Sequence, residues 1–173
     1  SSYQYDSIGR LTRKTNPDGT NISYAYNDSS NTLDIMDEKN QETTYVYDNL
    51  GRMIETRQPE SVTTRYAYDP LSRITRVTDP GGRNTNYSYD GIGRLTSLTY
   101  ADGSGTTLGY QDAQNSVDVT DGNGNTTRYK YDGLGNLKDV TEANGVKSVY
   151  AYDCLGNITA VRDPRKLTTL YSY

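Results

Sequence analysis

The side chains in this 173-residue chain that could do chemistry are 22 aspartates and glutamates, 18 tyrosines and one cysteine, Cys154; there is no histidine. A Ser-His-Asp or Cys-His relay is therefore excluded, as are the usual Cys/His zinc sets. Carboxylates are plentiful enough for acid–base work, but most stand at turn positions, where capping of the backbone accounts for them. The stretch Asp121-Gly122-Asn123-Gly124-Asn125-Thr126-Thr127 alternates oxygen-bearing residues like a calcium loop. It lacks the acidic residue that closes an EF-hand loop, and a Gly/Asn turn is the expectation. No Gly-rich loop leads into a helix, so nothing predicts a phosphate cradle. Asn21, Asn27, Asn86, Asn125 and Asn157 begin glycosylation sequons, at a level expected by chance in a chain rich in Asn and Thr. The expectation is a non-catalytic protein with no metal and no cofactor.

Composition narrows the partners. The net charge is -4 and the pI about 4.8, which argues against nucleic acid or an anionic membrane surface. The apolar runs are too short for membrane insertion, and no signal peptide stands at the N-terminus. Phe and Trp are absent, hydrophobic residues make up 32% and mean hydropathy is -0.88. A conventional aliphatic core is not expected, so something regular must replace it.

The tyrosines supply that regularity. Steps of 21 residues from Tyr3 give Tyr24, Tyr45, Tyr66, Tyr87, Leu108, Tyr129, Tyr150 and Tyr171. Two residues later run Tyr5, Tyr26, Tyr47, Tyr68, Tyr89, Tyr110, Tyr131, Tyr152 and Tyr173, without a break. Only Tyr100 lies outside both series. Residues 1–173 thus read as a single array, eight full repeats from Tyr3 and the start of a ninth at Tyr171. An array that starts and stops inside its own pattern is expected to be a segment of a larger protein.

Each repeat is punctuated twice. After the second Tyr comes Asp-x-x-Gly: Asp6 to Gly9, Asp48 to Gly51, Asp90 to Gly93, Asp132 to Gly135 and Asp153 to Gly156. Asp first and Gly fourth is the preference of a type I turn, closed by a glycine at positive φ. A second turn follows in each repeat, as at Asn16-Pro17-Asp18-Gly19 and Asp79-Pro80-Gly81-Gly82. Tyr and Thr favour strands, and Gly or Pro recurs too often for helices. The fold class predicted is all-β: tandem 21-residue β-hairpins in one long, twisted antiparallel sheet.

Residues two apart share a strand face, so the tyrosine pairs form a structural ladder, with aliphatic residues such as Leu11, Met53, Ile74, Leu95, Leu137 and Ile158 between the rings. If the ring of Tyr89 is fully buried, its removal is expected to cost about 3–5 kcal/mol. Arg10, Arg52 and Arg94 follow the turn glycines, with Asn136 and Asn157 at the equivalent positions. A solvated charge beside the turn Asp is the expected reading; a guanidinium lying over a neighbouring ring is the alternative. Repeats two and six lack the turn Gly, at Asn27-Asp28-Ser29-Ser30 and Gln111-Asp112-Ala113-Gln114, and their second strands alternate cleanly. They are expected to be straighter, marking equivalent places in a coiling sheet, whereas apolar residues three apart elsewhere predict a bulge.

The in-phase motif Tyr-x-Tyr-Asp-x-x-Gly-Arg-Leu-Thr resembles the YD repeat, or Rhs repeat, over Tyr3 to Tyr173. Its members include bacterial Rhs-type polymorphic toxins, the B and C shell components of Tc toxins, wall-associated bacterial proteins and teneurins. The resemblance implies a ribbon of hairpins spiralling into a hollow shell, in a secreted or cell-surface bacterial protein, with an enclosed toxin or effector domain and other YD repeats, joined by edge pairing, as partners. The alternative it leaves open is an extracellular adhesion module binding carbohydrate or protein. Tyr100, the one aromatic out of phase, is the residue expected to carry a glycan or other ligand in that case. Shells of this kind use many more than eight repeats. The pairs Asp69-Pro70, Asp79-Pro80 and Asp163-Pro164 sit in repeat turns, so self-cleavage is assigned to none of them.

Overall fold

Thr, Val, Ile and Tyr at alternate positions, interrupted at fixed intervals by Asp, Asn, Gly and Pro, give short strands and tight turns. The computed structural model describes residues 1–173. The strands are β1 (Ser2–Tyr5), β2 (Leu11–Thr15), β3 (Asn21–Asn27), β4 (Thr32–Met36), β5 (Glu42–Tyr47), β6 (Met53–Gln58), β7 (Val62–Tyr68), β8 (Ile74–Thr78), β9 (Asn84–Tyr89), β10 (Leu95–Thr99), β11 (Gly105–Gln111), β12 (Ser116–Thr120), β13 (Thr126–Tyr131), β14 (Leu137–Thr141), β15 (Lys147–Tyr152), β16 (Ile158–Arg162) and β17 (Thr168–Leu170). Single 3-10 turns at Pro59–Ser61 and Asp112–Gln114 are the remaining regular elements. The strands make one open antiparallel sheet of 17 strands, as the repeat pattern predicts.

Two compact units divide the chain, Ser1–Thr85 and Asn86–Tyr173. In the first, β1 to β8 pair in chain order as a meander. In the second, β9 to β17 do the same. Register places the tyrosine pairs opposite apolar or Thr side chains on one face, except for Tyr3, which faces Lys14. In the first unit Tyr5 faces Leu11, Tyr24 faces Ile35, Tyr47 faces Met53 and Tyr66 faces Val77. In the second, Tyr87 faces Leu98, Leu108 faces Val119, Tyr129 faces Val140 and Tyr152 faces Ile158. The opposite face is polar.

No hydrophobic side chain is fully buried. A single-layer sheet shields its rings only with flanking side chains, so Tyr89 is half-buried. The fully buried case drawn from the sequence is thereby corrected.

The register also explains the straight hairpins. Six pairings shift by one residue just before the turn, between Gln4/Tyr5, Val46/Tyr47, Ala67/Tyr68, Leu95/Ser97, Lys130/Tyr131 and Ala151/Tyr152. The pairings β3–β4 and β11–β12 run unshifted to their last residues, Asn27 opposite Thr32 and Gln111 opposite Ser116. Among the turns that follow the tyrosine pairs, bulge and Asp cap occur together, the Gly-less turn at Asp69 to Ser72 included, while the loops opening on Asn27 and Gln111 close without a bulge. The left-handed residue there is Asn31 (φ 52°) or Asn115 (φ 49°), a conformation Asn tolerates better than most residues.

Candidate functional site: the turn clamps

Each Asp-x-x-Gly turn is built around its carboxylate. Asp6 Oδ1 accepts the N–H groups of Ile8 at 3.0 Å and Arg10 at 2.8 Å. Asp48, Asp90, Asp132 and Asp153 repeat this pattern at Leu50 and Arg52, Ile92 and Arg94, Leu134 and Asn136, and Leu155 and Asn157. The second oxygen takes the following side chain. Arg10, Arg52 and Arg94 Nε donate to Asp6, Asp48 and Asp90 Oδ2 at 2.7 Å, and Asn136 and Asn157 Nδ2 donate to Asp132 and Asp153 at 3.1 and 2.9 Å. The turn glycines sit at positive φ, 75° to 91° for Gly9, Gly51, Gly93, Gly135 and Gly156, where a Cβ is disfavoured.

The arginines do more than solvate a turn. Arg10 Nη1 reaches Asp28 of the next hairpin at 2.7 Å, and its guanidinium lies 4.3 Å from the Tyr26 ring centre. Arg94 Nη1 reaches Asp112 at 2.6 Å, 4.0 Å over Tyr110. Arg52 donates to the Asp69 carbonyl at 3.1 Å and to Ser72 Oγ, 4.9 Å over Tyr68. The ring-stacking alternative thus replaces the solvated-charge reading at all three, because the next hairpin brings both a ring face and an acceptor within reach. The far end of the second-series ring is fixed as well. The hydroxyls of Tyr68, Tyr110 and Tyr152 donate to the carbonyls of Met53, Leu95 and Leu137 at 2.6, 3.0 and 2.9 Å.

The charges follow this geometry. Hydrogen bonds from Arg10 hold the Asp6 carboxyl below its ordinary value. Bonds from Arg52 do so for Asp48, the backbone N–H first. The Arg94 side chain leads at Asp90, and that of Asn136 at Asp132. Desolvation pushes the Tyr68 and Tyr152 hydroxyls upward. On the polar face, Glu55 pairs with Arg57 and Arg65, Asp118 with Arg128 at 2.7 Å and Asp139 with Lys147 at 3.1 Å.

The sequence reading therefore located the turn aspartates and glycines but missed Asp28, Asp112, Asn31 and Asn115. Their signal was the in-phase recurrence of the departures at repeats two and six. The oxygen-rich stretch at Asp121 is a turn, its Oδ1 accepting the N–H groups of Asn123 and Asn125. Tyr100 opens a turn, its carbonyl accepting from Gly103 N–H, and is 48% exposed.

A sheet of 21-residue hairpins, most of whose tyrosine-side turns are capped by their own Asp and three of which are clamped by arginine to the next hairpin, defines a β-repeat scaffold. The chain matches the RHS Repeat family over residues 5–35, 47–83, 68–104, 110–147 and 131–168, most of its length, and belongs to that family. No curated protein sequence matches it. Among solved structures, it resembles the TcdB2-TccC3 crystal structure with a TM-score of 0.57 at 15% identity, over 91% of this chain and 9% of that one. TcdB2-TccC3-TEV gives 0.54 at 17% identity, over 93% and 11%. The Photorhabdus luminescens Tc holotoxin pore gives 0.53 at 14% identity, over 99% and 12%. At these identities the likeness is one of fold, and the chain spans about a tenth of those chains.

Proposed function

We propose that this chain is a non-catalytic wall segment of a YD/Rhs-repeat shell enclosing a toxin or effector domain, in a large secreted or surface protein. The observation that carries the reading is the match to RHS repeats along most of the chain, together with a fold shared, over nine-tenths or more of its length, with Tc toxin assemblies. A wall needs a sheet that is stiff without a core beneath it, and the clamps from one hairpin to the next supply that stiffness. Neighbouring repeats, joined at the free sides of β1 and β17, are its expected partners.

Protease protection of the protein from the complete reading frame tests this. A domain enclosed by the repeats resists trypsin until the repeats are unfolded. Digestion of every other domain at the same rate, whether or not the repeats are folded, would rule out enclosure. A second reading, a glycan-binding module, rests on Tyr100, which breaks the tyrosine phase and is half exposed. Glycan-array binding by the wild type that Tyr100→Ala abolishes would favour it; identical profiles would remove it.

A further inference from the structure

Strand register lines up three arginines on the polar face of the first unit. Arg65 of β7 stands opposite Glu55 of β6, and Arg57 stands opposite Thr63, two residues along β7 from Arg65. On the other side of β7, Arg65 stands opposite Thr78 and Ala67 opposite Arg76 of β8. Arg57, Arg65 and Arg76 therefore run diagonally across three adjacent strands, each about 7–8 Å from the next.

One carboxylate serves this row. Glu55 accepts from Arg57 Nε and, at 2.7 Å, from Arg65 Nε. Each of its oxygens is thus engaged by one arginine, and the terminal nitrogens of both guanidinium groups make no further hydrogen bond. Arg57 and Arg65 stay 56% and 62% exposed over a Glu55 that is 15% exposed, so the donors face solvent while the carboxylate is covered. Arg76, also exposed, makes no ion pair. Three arginines against one glutamate leave a positive excess on this patch, in a chain whose net charge is -4. In the second unit, by contrast, Arg128 with Asp118 and Lys147 with Asp139 match one to one. Like charges this close repel, and an anion bound from outside the sheet relieves that repulsion.

The space beside the row admits such an occupant. The three arginines border an open concavity of about 440 Å³ whose lining includes Val46, Ala67 and Thr78, small side chains that leave the guanidinium groups accessible. Strand alternation turns the Tyr66 and Tyr68 rings to the opposite face, so cations stand here without the aromatic platforms that single-stranded nucleic acid needs. Spacing selects further. Carboxylates on alternate residues of an extended chain are about 6.8 Å apart, close to the spacing of the arginines, and the guanidinium fork suits a carboxylate. We infer that this arginine row binds an extended acidic peptide segment, its alternate carboxylates meeting Arg57, Arg65 and Arg76 in turn. The site lies within one unit and needs no enclosed cavity, so it stands apart from the wall reading.

Fluorescence anisotropy at low ionic strength tests this on the full chain. The probe is fluorescein-labelled Gly-Glu-Ala-Glu-Ala-Glu-Gly, compared with Gly-Ala-Glu-Glu-Glu-Ala-Gly, of equal charge but contiguous glutamates, and with octathymidylate. Wild type is expected to bind the alternating peptide saturably and more tightly than either comparison. The triple variant Arg57→Gln, Arg65→Gln, Arg76→Gln is expected to lose at least about tenfold in affinity. Arg76→Gln alone, which breaks no ion pair, is expected to lose about threefold. Arg13→Gln, an exposed arginine on the same face at β2, is expected to bind like wild type. Unchanged circular dichroism establishes the fold of each variant. No saturable binding by wild type, equal affinity for the two peptides, tighter binding of octathymidylate, or a loss in Arg13→Gln equal to that in Arg76→Gln would overturn the proposal.

Discussion

At the scale of single residues, the clamps make a specific acid response. The turn carboxylates of Asp6, Asp48, Asp90 and Asp132 are held below their ordinary value. A depressed folded-state value means that protonation favours the unfolded chain. The stabilisation is complete above the unfolded value, near 3.8, and is lost as pH falls through the lower folded values. Urea midpoints are therefore expected to be flat near neutrality and to fall steeply below about pH 4, with Asp90→Asn flattening part of that slope. A midpoint independent of pH down to acid would show that the caps contribute nothing. The tyrosine hydroxyls give a second readout. Tyr68→Phe and Tyr152→Phe each remove a hydrogen bond to a backbone carbonyl, and each is expected to cost about 0.5–1.5 kcal/mol in urea unfolding. The capping aspartates could be read from sequence because their partners are two and four residues away. The cross-hairpin acceptors Asp28 and Asp112 could not, because their partners Arg10 and Arg94 lie 18 residues away and meet them only once the register is set.

At the scale of the hairpin, turn chemistry and strand register are one choice. Where an Asp caps the turn after a tyrosine pair, the second strand carries a bulge; where Asn31 or Asn115 takes the left-handed position, the strands pair without one. The straightness of repeats two and six was legible from the clean alternation Leu33-Asp34-Ile35 and Val117-Asp118-Val119. The loop residues that accompany it, Asn31 and Asn115 in the left-handed region, were not. Ser72 holds the place of a turn glycine at φ 63°, so Ser72→Gly is expected to stabilise by up to about 1 kcal/mol. Gly105 is constrained differently: a Cβ there would collide with the backbone carbonyl of Leu98 on the paired strand. Gly105→Ala is expected to destabilise by about 1–3 kcal/mol. Thermal and urea unfolding of the two variants should therefore move in opposite directions.

At the scale of the whole molecule, the tyrosine phase together with two turn signals per repeat was enough to read an all-β hairpin array, because 21 residues cut twice by Asp, Gly and Pro leave room only for short strands. Full burial of the rings was not legible, since whether a second layer covers a sheet is not written in its period; here the polar face and the half-buried tyrosines show one layer. In such an array each hairpin is stabilised chiefly by its neighbours. The central claim is that these hairpins form the wall of a closed compartment, and a cryo-EM map of the protein from the complete reading frame tests it most directly. The account predicts residues 1–173 as a continuous stretch of sheet bounding an internal cavity, with density for another domain inside. A free-standing ribbon with both faces in solvent, bounding no cavity, would contradict it.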